Sequence, residues 1–404
     1  MPDILRPYLE EKKIKRFIGS ILGSQKGPTV VFFGGVHGNE LSGSAALTEV
    51  MKELIGSSAQ IKGNVFGIRA NIPAQLKNQR FLDEDLNRLW AIERIRKIHA
   101  KLDDDLNSEE RELIEIHKHI SNILAGSSPP FYFVDLHSTS SETPPFITIN
   151  DALINRRFSK QFPVPIVLGI EEYLEGPLLS YINQKGYVSL GFESGMHTDD
   201  NSIKNCISFI WLTLGFTGIL NTKDVAWFKL HYNRLKEAAR GKKKFYEVIY
   251  RHSIRKDEKF KMQEGFDSFR NVSKRTLLAK QDTREIRAEK DSILFMPLYQ
   301  DLGDDGFFLI RKIPNWALNL STFFRTLKMD GLLARLPGIS WNDKSKGSLL
   351  VDTGIAKFLT KPFFHLLGYR NRLVDKDHVL MHNRERVAKT EMYSGEWWYK
   401  NKSF

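Results

Sequence analysis

The residues best suited to chemistry are two histidines and two glutamates placed at the ends of apolar runs. His37 and Glu40 stand three apart in HGNE, directly after the run Thr29 to Phe33 (TVVFF) and the pair Gly34-Gly35. From a loop and the start of a helix they can turn a nitrogen and an oxygen donor toward one point, a pair suited to zinc. His137 ends a second apolar run in FVDLHSTS. Two nitrogens and one carboxylate leave the fourth tetrahedral position open for water, as in a catalytic rather than a structural zinc site. A hydrogen-bonded core histidine, the ordinary alternative, leaves unexplained the four hydroxyl residues Ser138 to Ser141 that follow. Glu193 ends a third apolar run, Val188 to Phe192, where a carboxylate is unexpected unless paired or functional. It is the candidate base that takes a proton from the attacking water and passes it to the leaving group. The segment Arg80 to Arg88 (RFLDEDLNR) adds two arginines, with Asn87 beside the second. One guanidinium can polarise a scissile carbonyl while another grips a carboxylate by two bonds.

Those residues need strand ends to carry them, and the pattern supplies them. TVVFF reads as a strand, Leu41 to Leu54 as a helix, Asn64 to Arg69 as a strand and Ser108 to Leu124 as a helix, with Ser108 as N-cap. Phe131 to Asp135 follows as a strand, then Pro165 to Leu168, a helix around Pro177 to Lys185, the strand Tyr187 to Phe192 and a helix from Ile203 to Leu214. Strands alternating with helices imply an α/β fold: a mostly parallel or mixed sheet flanked by helices, with the site at its C-terminal edge. The expected catalytic domain covers residues 1–225. Arg234 to Lys244 reads as a charged helix. A small β-rich domain is expected over 245–315, with pieces such as VIYRHSI and GFFLIRK. Residues 316–404 form a basic C-terminal extension without an assigned role, containing the helix-like FFRTLKMDGLLARL, the run FLTKPFFHLLGY and a Trp-rich end.

The charge of +12 is uneven: from Arg311 onward the chain carries 17 Lys and Arg against 8 Asp and Glu. These basic residues are scattered among Phe, Leu and Trp, which argues against dedicated nucleic-acid readout. No run approaches 18 apolar residues, and the first 23 residues hold Arg6, Glu10, Glu11, Lys12, Lys13, Lys15 and Arg16. The expectation is a cytoplasmic protein with no transmembrane segment. The only cysteine, Cys206, reads as a small core hydrophobe.

In combination, GGVHGNE, the segment NxxA leading to DLNR, then DLHSTS and a strand-borne ESG resemble the succinylglutamate desuccinylase and aspartoacylase family, relatives of the zinc carboxypeptidases. The resemblance covers residues 28 to 215 and extends weakly into a small C-terminal β domain. It implies a carboxypeptidase-like fold with one Zn²⁺ per chain on His37, Glu40 and His137, and Glu193 as general base and acid. It further implies that Arg80 polarises the scissile carbonyl, that Asn87 and Arg88 hold a substrate carboxylate, and that Asp85 orients its neighbours. Aspartoacylase-like members place a further arginine just before the catalytic Glu, yet this chain has none between Arg157 and Arg234, which argues against acetylaspartate. The expectation is therefore a zinc hydrolase that deacylates an N-acyl amino acid or similar small anionic amide. Two alternatives remain open: a zinc carboxypeptidase or ester hydrolase on the same site, and a non-catalytic binding protein acting through the basic C-terminal segment.

Overall fold

The computed structural model describes residues 14–400 other than 57–59, 224, 226–227, 256, 301–302, 328–332, 344–346, 357–363, 365 and 374–377. Most of the N-terminal charge cluster and half of the run FLTKPFFHLLGY therefore lie outside the described residues. In chain order the first part runs β1 (Phe17–Leu22), β2 (Gln25–Gly34), α1 (Ser42–Gly56), β3 (Lys62–Arg69), α2 (Ile72–Leu76), α3 (Ile92–His99), α4 (Ser108–Gly126) and β4 (Phe131–Thr139). It continues with β5 (Phe146–Ile149), α5 (Leu153–Ser159), β6 (Ile166–Leu168), α6 (Leu178–Gln184), β7 (Val188–Met196), α7 (Asp200–Phe216) and α8 (Phe228–Ala238). Next come β8 (Phe245–Ser253), β9 (Phe260–Met262), β10 (Arg270–Val272), β11 (Leu277–Gln281), β12 (Arg284–Arg287), β13 (Ser292–Phe295), β14 (Asp305–Lys312) and α9 (Asn315–Thr326). Four more strands close the series: β15 (Ile339–Asp343), β16 (Ser348–Asp352), β17 (Tyr369–Leu373) and β18 (His378–Asn383).

One 11-stranded sheet, ordered β1-β3-β2-β4-β7-β5-β6-β8-β14-β13-β10, dominates the molecule. Its centre, β3, β2, β4 and β7, is parallel, whereas β1 and β5 run antiparallel to their neighbours β3 and β7. Helices cover both faces, so the central strands bury both sets of side chains: Val30 and Phe32 join one apolar cluster with α1 and α7, while Val31 and Phe33 join another with α3, α4 and α6. That double burial explains why TVVFF reads as an unbroken apolar run rather than an alternating one. β8 pairs in parallel with β6, so the sheet runs on into the segment after residue 245. Two smaller sheets, β12-β11-β9 and β15-β16-β18-β17, complete the mixed α/β architecture that the sequence leads one to expect.

Local chemistry shifts several boundaries. Asn107, not Ser108, caps α4: its side chain accepts from the Glu110 N–H, and the Glu110 carboxylate accepts from the Asn107 N–H. The reciprocal bond satisfies two helix-end donors that Ser108, one residue later, cannot reach. The helix expected at Arg234 to Lys244 begins earlier and ends at Ala238, because Arg240 and Gly241 adopt left-handed backbone at φ 51° and 70°. The helix expected within FFRTLKMDGLLARL begins upstream at Asn315, after Pro314, and ends at Thr326.

The end of the chain returns to the main sheet. Tyr393 and Trp398 are fully buried. The Tyr393 hydroxyl accepts from the Val188 N–H at 2.9 Å and donates to the Phe131 carbonyl, joining the first residues of β7 and β4. Trp398 Nε1 donates to the Tyr132 hydroxyl, and the Lys389 N–H donates to the Gly186 carbonyl. Among the described residues no helix is long and apolar enough to cross a membrane.

Candidate active site

The parallel register of β2, β4 and β7 brings three strand ends to one edge. Gly34 pairs with Leu136, and His137 pairs with Glu193, so the latter two stand side by side. His37 and Glu40 follow from the loop after β2. Gly38 is required within that loop: a Cβ there would lie 2.2 Å from the Ala74 carbonyl carbon and 2.3 Å from the Gln79 oxygen. That close approach lets the Gly38 N–H donate to the Arg80 carbonyl at 3.0 Å, docking the arginine-bearing loop on the histidine loop.

His37, Glu40 and His137 are buried, with one ligand atom from each lying within 4.8 Å of the others. His37 Nδ1 lies 2.8 Å from Glu40 Oε1, and His137 Nδ1 lies 2.9 Å from Glu40 Oε2. Each imidazole also has a carboxylate at its far nitrogen: His37 Nε2 is 3.2 Å from Asp85 Oδ1, and His137 Nε2 is 2.7 Å from Asp135 Oδ2. At His137 the carboxylate beside Nε2 favours the proton there and leaves Nδ1 basic, which is how metal-bound histidines are oriented, whereas His37 Nε2 also lies 3.0 Å from Arg80 Nη2. The donor set therefore fits a divalent metal of the zinc type. Burial alone would raise the Glu40 carboxyl, but His37 and His137 outweigh it and hold that group well below the usual carboxylate range. Burial likewise would lower His137, but Asp135 and Glu40 push it well above the ordinary imidazole value.

The loop from Asn78 to Ala91 is held from beneath by Glu109, a fully buried residue in the first turn of α4. Its carboxylate accepts from the N–H groups of Leu82, Asp83 and Glu84 and from Asn71 Nδ2. So fixed, the loop aims Arg80 at the histidines: Nη1 is 3.3 Å from Glu40 Oε1, and Nη2 is 3.2 Å from Asp85 Oδ2. Asn87 Oδ1 accepts from the Leu178 N–H at the start of α6, and the residue lines the cavity. Arg88 Nη2 donates to Asp305 Oδ2 at 3.1 Å. Asp305 is shared, because Arg251 Nε donates to its other oxygen while Arg251 Nη1 donates to the Tyr173 carbonyl at 2.6 Å.

Glu193 is buried, and its Oε2 has no hydrogen-bond partner among the described residues. Burial, reinforced by Glu40 and Asp135, pushes its carboxyl up to about 8 despite the opposing pull of His137 and Arg80. Seven of the residues singled out in the sequence, His37, Glu40, Arg80, Asn87, Arg88, His137 and Glu193, line a single cavity of ≈ 130 Å³, and Asp85 stands behind it. Four further residues at or behind the cavity did not emerge from the sequence. Asp135 had a signal, since it lies two residues before His137 on the same face of a strand. His197 follows Glu193 by four; its Nδ1 lies 2.9 Å from Ser138 Oγ. Gln300 accepts from Asn39 Nδ2 at 3.0 Å, and Asp305 arrives on β14. Neither of those two has a local signature.

Comparison with known proteins accords with the motifs. Residues 26–184 match the model of the succinylglutamate desuccinylase/aspartoacylase catalytic domain. A curated succinylglutamate desuccinylase from Photorhabdus laumondii is 27% identical over 140 residues, covering 33% of this chain. The match spans 40% of that relative's length. The solved succinylglutamate desuccinylase of Vibrio cholerae superposes with a TM-score of 0.55 at 12% identity, over 76% of this chain and 94% of the other. A succinylglutamate desuccinylase/aspartoacylase from Rhodobacter sphaeroides gives 0.52 at 17% identity, over 72% and 87%. At such identities the likeness is one of fold, and it reaches well past the matched segment.

Proposed function

Since residues 26–184 match the catalytic domain of the succinylglutamate desuccinylase/aspartoacylase family, we propose that this chain is a zinc-dependent deacylase that hydrolyses the amide bond of an N-acyl amino acid or similar small carboxylate-bearing amide. The observation that carries the reading is the pair of imidazoles, each with Nδ1 toward Glu40 and Nε2 toward a carboxylate. His37, Glu40 and His137 hold the ion. When bound there, zinc supplies a Lewis acid for the scissile carbonyl and a lowered pKa for the attacking water.

The chain's own groups do the rest. Glu193 takes the proton of the attacking water and delivers it to the leaving nitrogen. With its carboxyl at about 8, it needs added positive charge beside it to be ionised at neutral pH, and the neighbouring donor set is built to hold such a charge. Arg80, kept in place by Glu40 and Asp85, shares the charge that develops on the carbonyl oxygen. Asn87 and Arg88 hold the substrate carboxylate, with Arg88 steadied by Asp305.

Elemental analysis of the purified protein tests the metal, with about one zinc per chain expected for a three-ligand catalytic site. His137→Ala should lose most of it. A panel of N-acyl amino acids, peptides and esters then tests the reaction, with turnover expected on the acyl amino acids. Absence of any transition metal, together with unchanged activity in His137→Ala, overturns the reading.

A further inference from the structure

We propose that an open cavity of ≈ 470 Å³ between α3, α4 and α6, separate from the candidate active site, binds a small organic anion: a carboxylate or phosphate carried on an apolar body. Arg96 and Lys185 line it together with the histidine pair His99 and His117, and no carboxylate is among its lining residues. His99 Nε2 lies 3.1 Å from His117 Nδ1, so when both rings are neutral one must donate and the other accept. The charges bearing on His117 are positive as well: burial, then His99 and Lys185, lower it below the ordinary imidazole value. Ile92, Ile95 and Ala100 supply an apolar wall, and Gln184 a neutral polar group.

Tyr181 supplies the second observation. Its ring lies against His117 at 5.6 Å between centroids, with Lys185 Nζ 4.9 Å from the ring centre. Its hydroxyl is buried without a hydrogen-bond partner among the described residues and offers no surface to the cavity, so a ligand there meets the ring and not the hydroxyl. Basic residues near the ends of α3 and α6 also suit those helix C-termini. That effect does not explain the absence of carboxylates among the lining residues. α6 adjoins both cavities, since Tyr181 lines this one and Leu179 the candidate active site.

Calorimetric titration of the full chain with phenyl phosphate and, separately, phenylacetate at low ionic strength tests the proposal. At least one anion should saturate, and which one does identifies the headgroup. Replacing both cations, Arg96→Gln with Lys185→Gln, should weaken binding tenfold or more. Tyr181→Phe should leave binding near wild type while raising Tm, because it removes a buried unpaired hydroxyl and keeps the ring. Three results each overturn the proposal: neither anion saturates, the double variant binds as tightly as the wild type, or neutral benzyl alcohol binds as well as the anions.

Discussion

At its start β4 gives Phe131 and Tyr132 to the last turns of the chain, and toward its finish it gives Asp135 and His137 to the candidate metal site. β7 divides in the same way, with Val188 bonded to Tyr393 at one end and Glu193 facing the cavity at the other. The two ends of the same strands thus differ in what they contain. The starting end is aromatic and hydrogen-bonded, with Tyr393, Trp398, Tyr132 and Phe158 in mutual ring contact. The finishing end is crowded with buried charge and keeps a partnerless carboxylate oxygen on Glu193. One end is built to hold, and the other carries the proposed chemistry.

The largest expected effect breaks the holding end. Trp398→Ala removes a fully buried indole and its bond to Tyr132, which should cost about 3–5 kcal/mol of stability. Thermal and urea unfolding measure that loss, while turnover per folded molecule should stay near wild type. A variant as stable as the wild type would show that the chain end does not hold the sheet.

The next tests the reacting end. Glu193→Gln should keep the fold and the bound metal yet lower turnover on the order of a hundredfold, about 2.7 kcal/mol of barrier. In metal-free protein the same variant has a second signature. The folded state keeps the Glu193 proton until about pH 8, whereas the unfolded chain releases it near the ordinary glutamate value of 4.5. Between those values the folded state binds the extra proton, so the contribution of Glu193 falls as pH rises and is fully present only below that window. Unfolding followed from pH 4.5 to 8 in both proteins isolates this slope, because Glu40 and Asp85, held low, are common to both. Parallel curves would remove the raised carboxyl from the account, and wild-type turnover would remove Glu193 from the mechanism.

The finishing end was legible because its residues sit next to the features that place them. His37 and Glu40 follow an apolar run and two glycines, while His137 and Glu193 each follow an apolar run and lie within the last pairs of β4 and β7, so parallel pairing brings those two side by side. The starting end was not legible: nothing near Tyr393 or Trp398 in the sequence points to Val188 or Tyr132, some 200 residues away. The cavity rim failed for the same reason. Gln300 and Asp305 reach it only because β14 pairs antiparallel with β8, which itself extends the main sheet beside β6. The Arg80–Arg88 segment was half legible. Its arginines suggested substrate contacts, but the carboxylate that shapes its loop is Glu109, which sits in the first turn of α4 and carries no local mark of that role.

The smallest expected effect lies where those two kinds of residue meet. Arg88 is local to the motif, yet its Nη2 points at Asp305, and Arg251 holds the other oxygen of that carboxylate. Two guanidiniums on one carboxylate leave the cluster with a net positive charge, so Asp305 steadies Arg88 without cancelling its attraction for an anion. Asp305→Asn keeps one acceptor but loses the charge. The groups are partly exposed, so the loss should be near 1 kcal/mol, about fivefold in KM for an acidic substrate. KM for the amide-capped analogue should move much less, and kcat should hold, because the contact lies on the substrate's carboxylate and not on its scissile bond. Free acid and amide assayed side by side decide the matter. A fall in KM for the acid would reverse the assignment, showing that Asp305 competes with the substrate for Arg88 rather than aiming it.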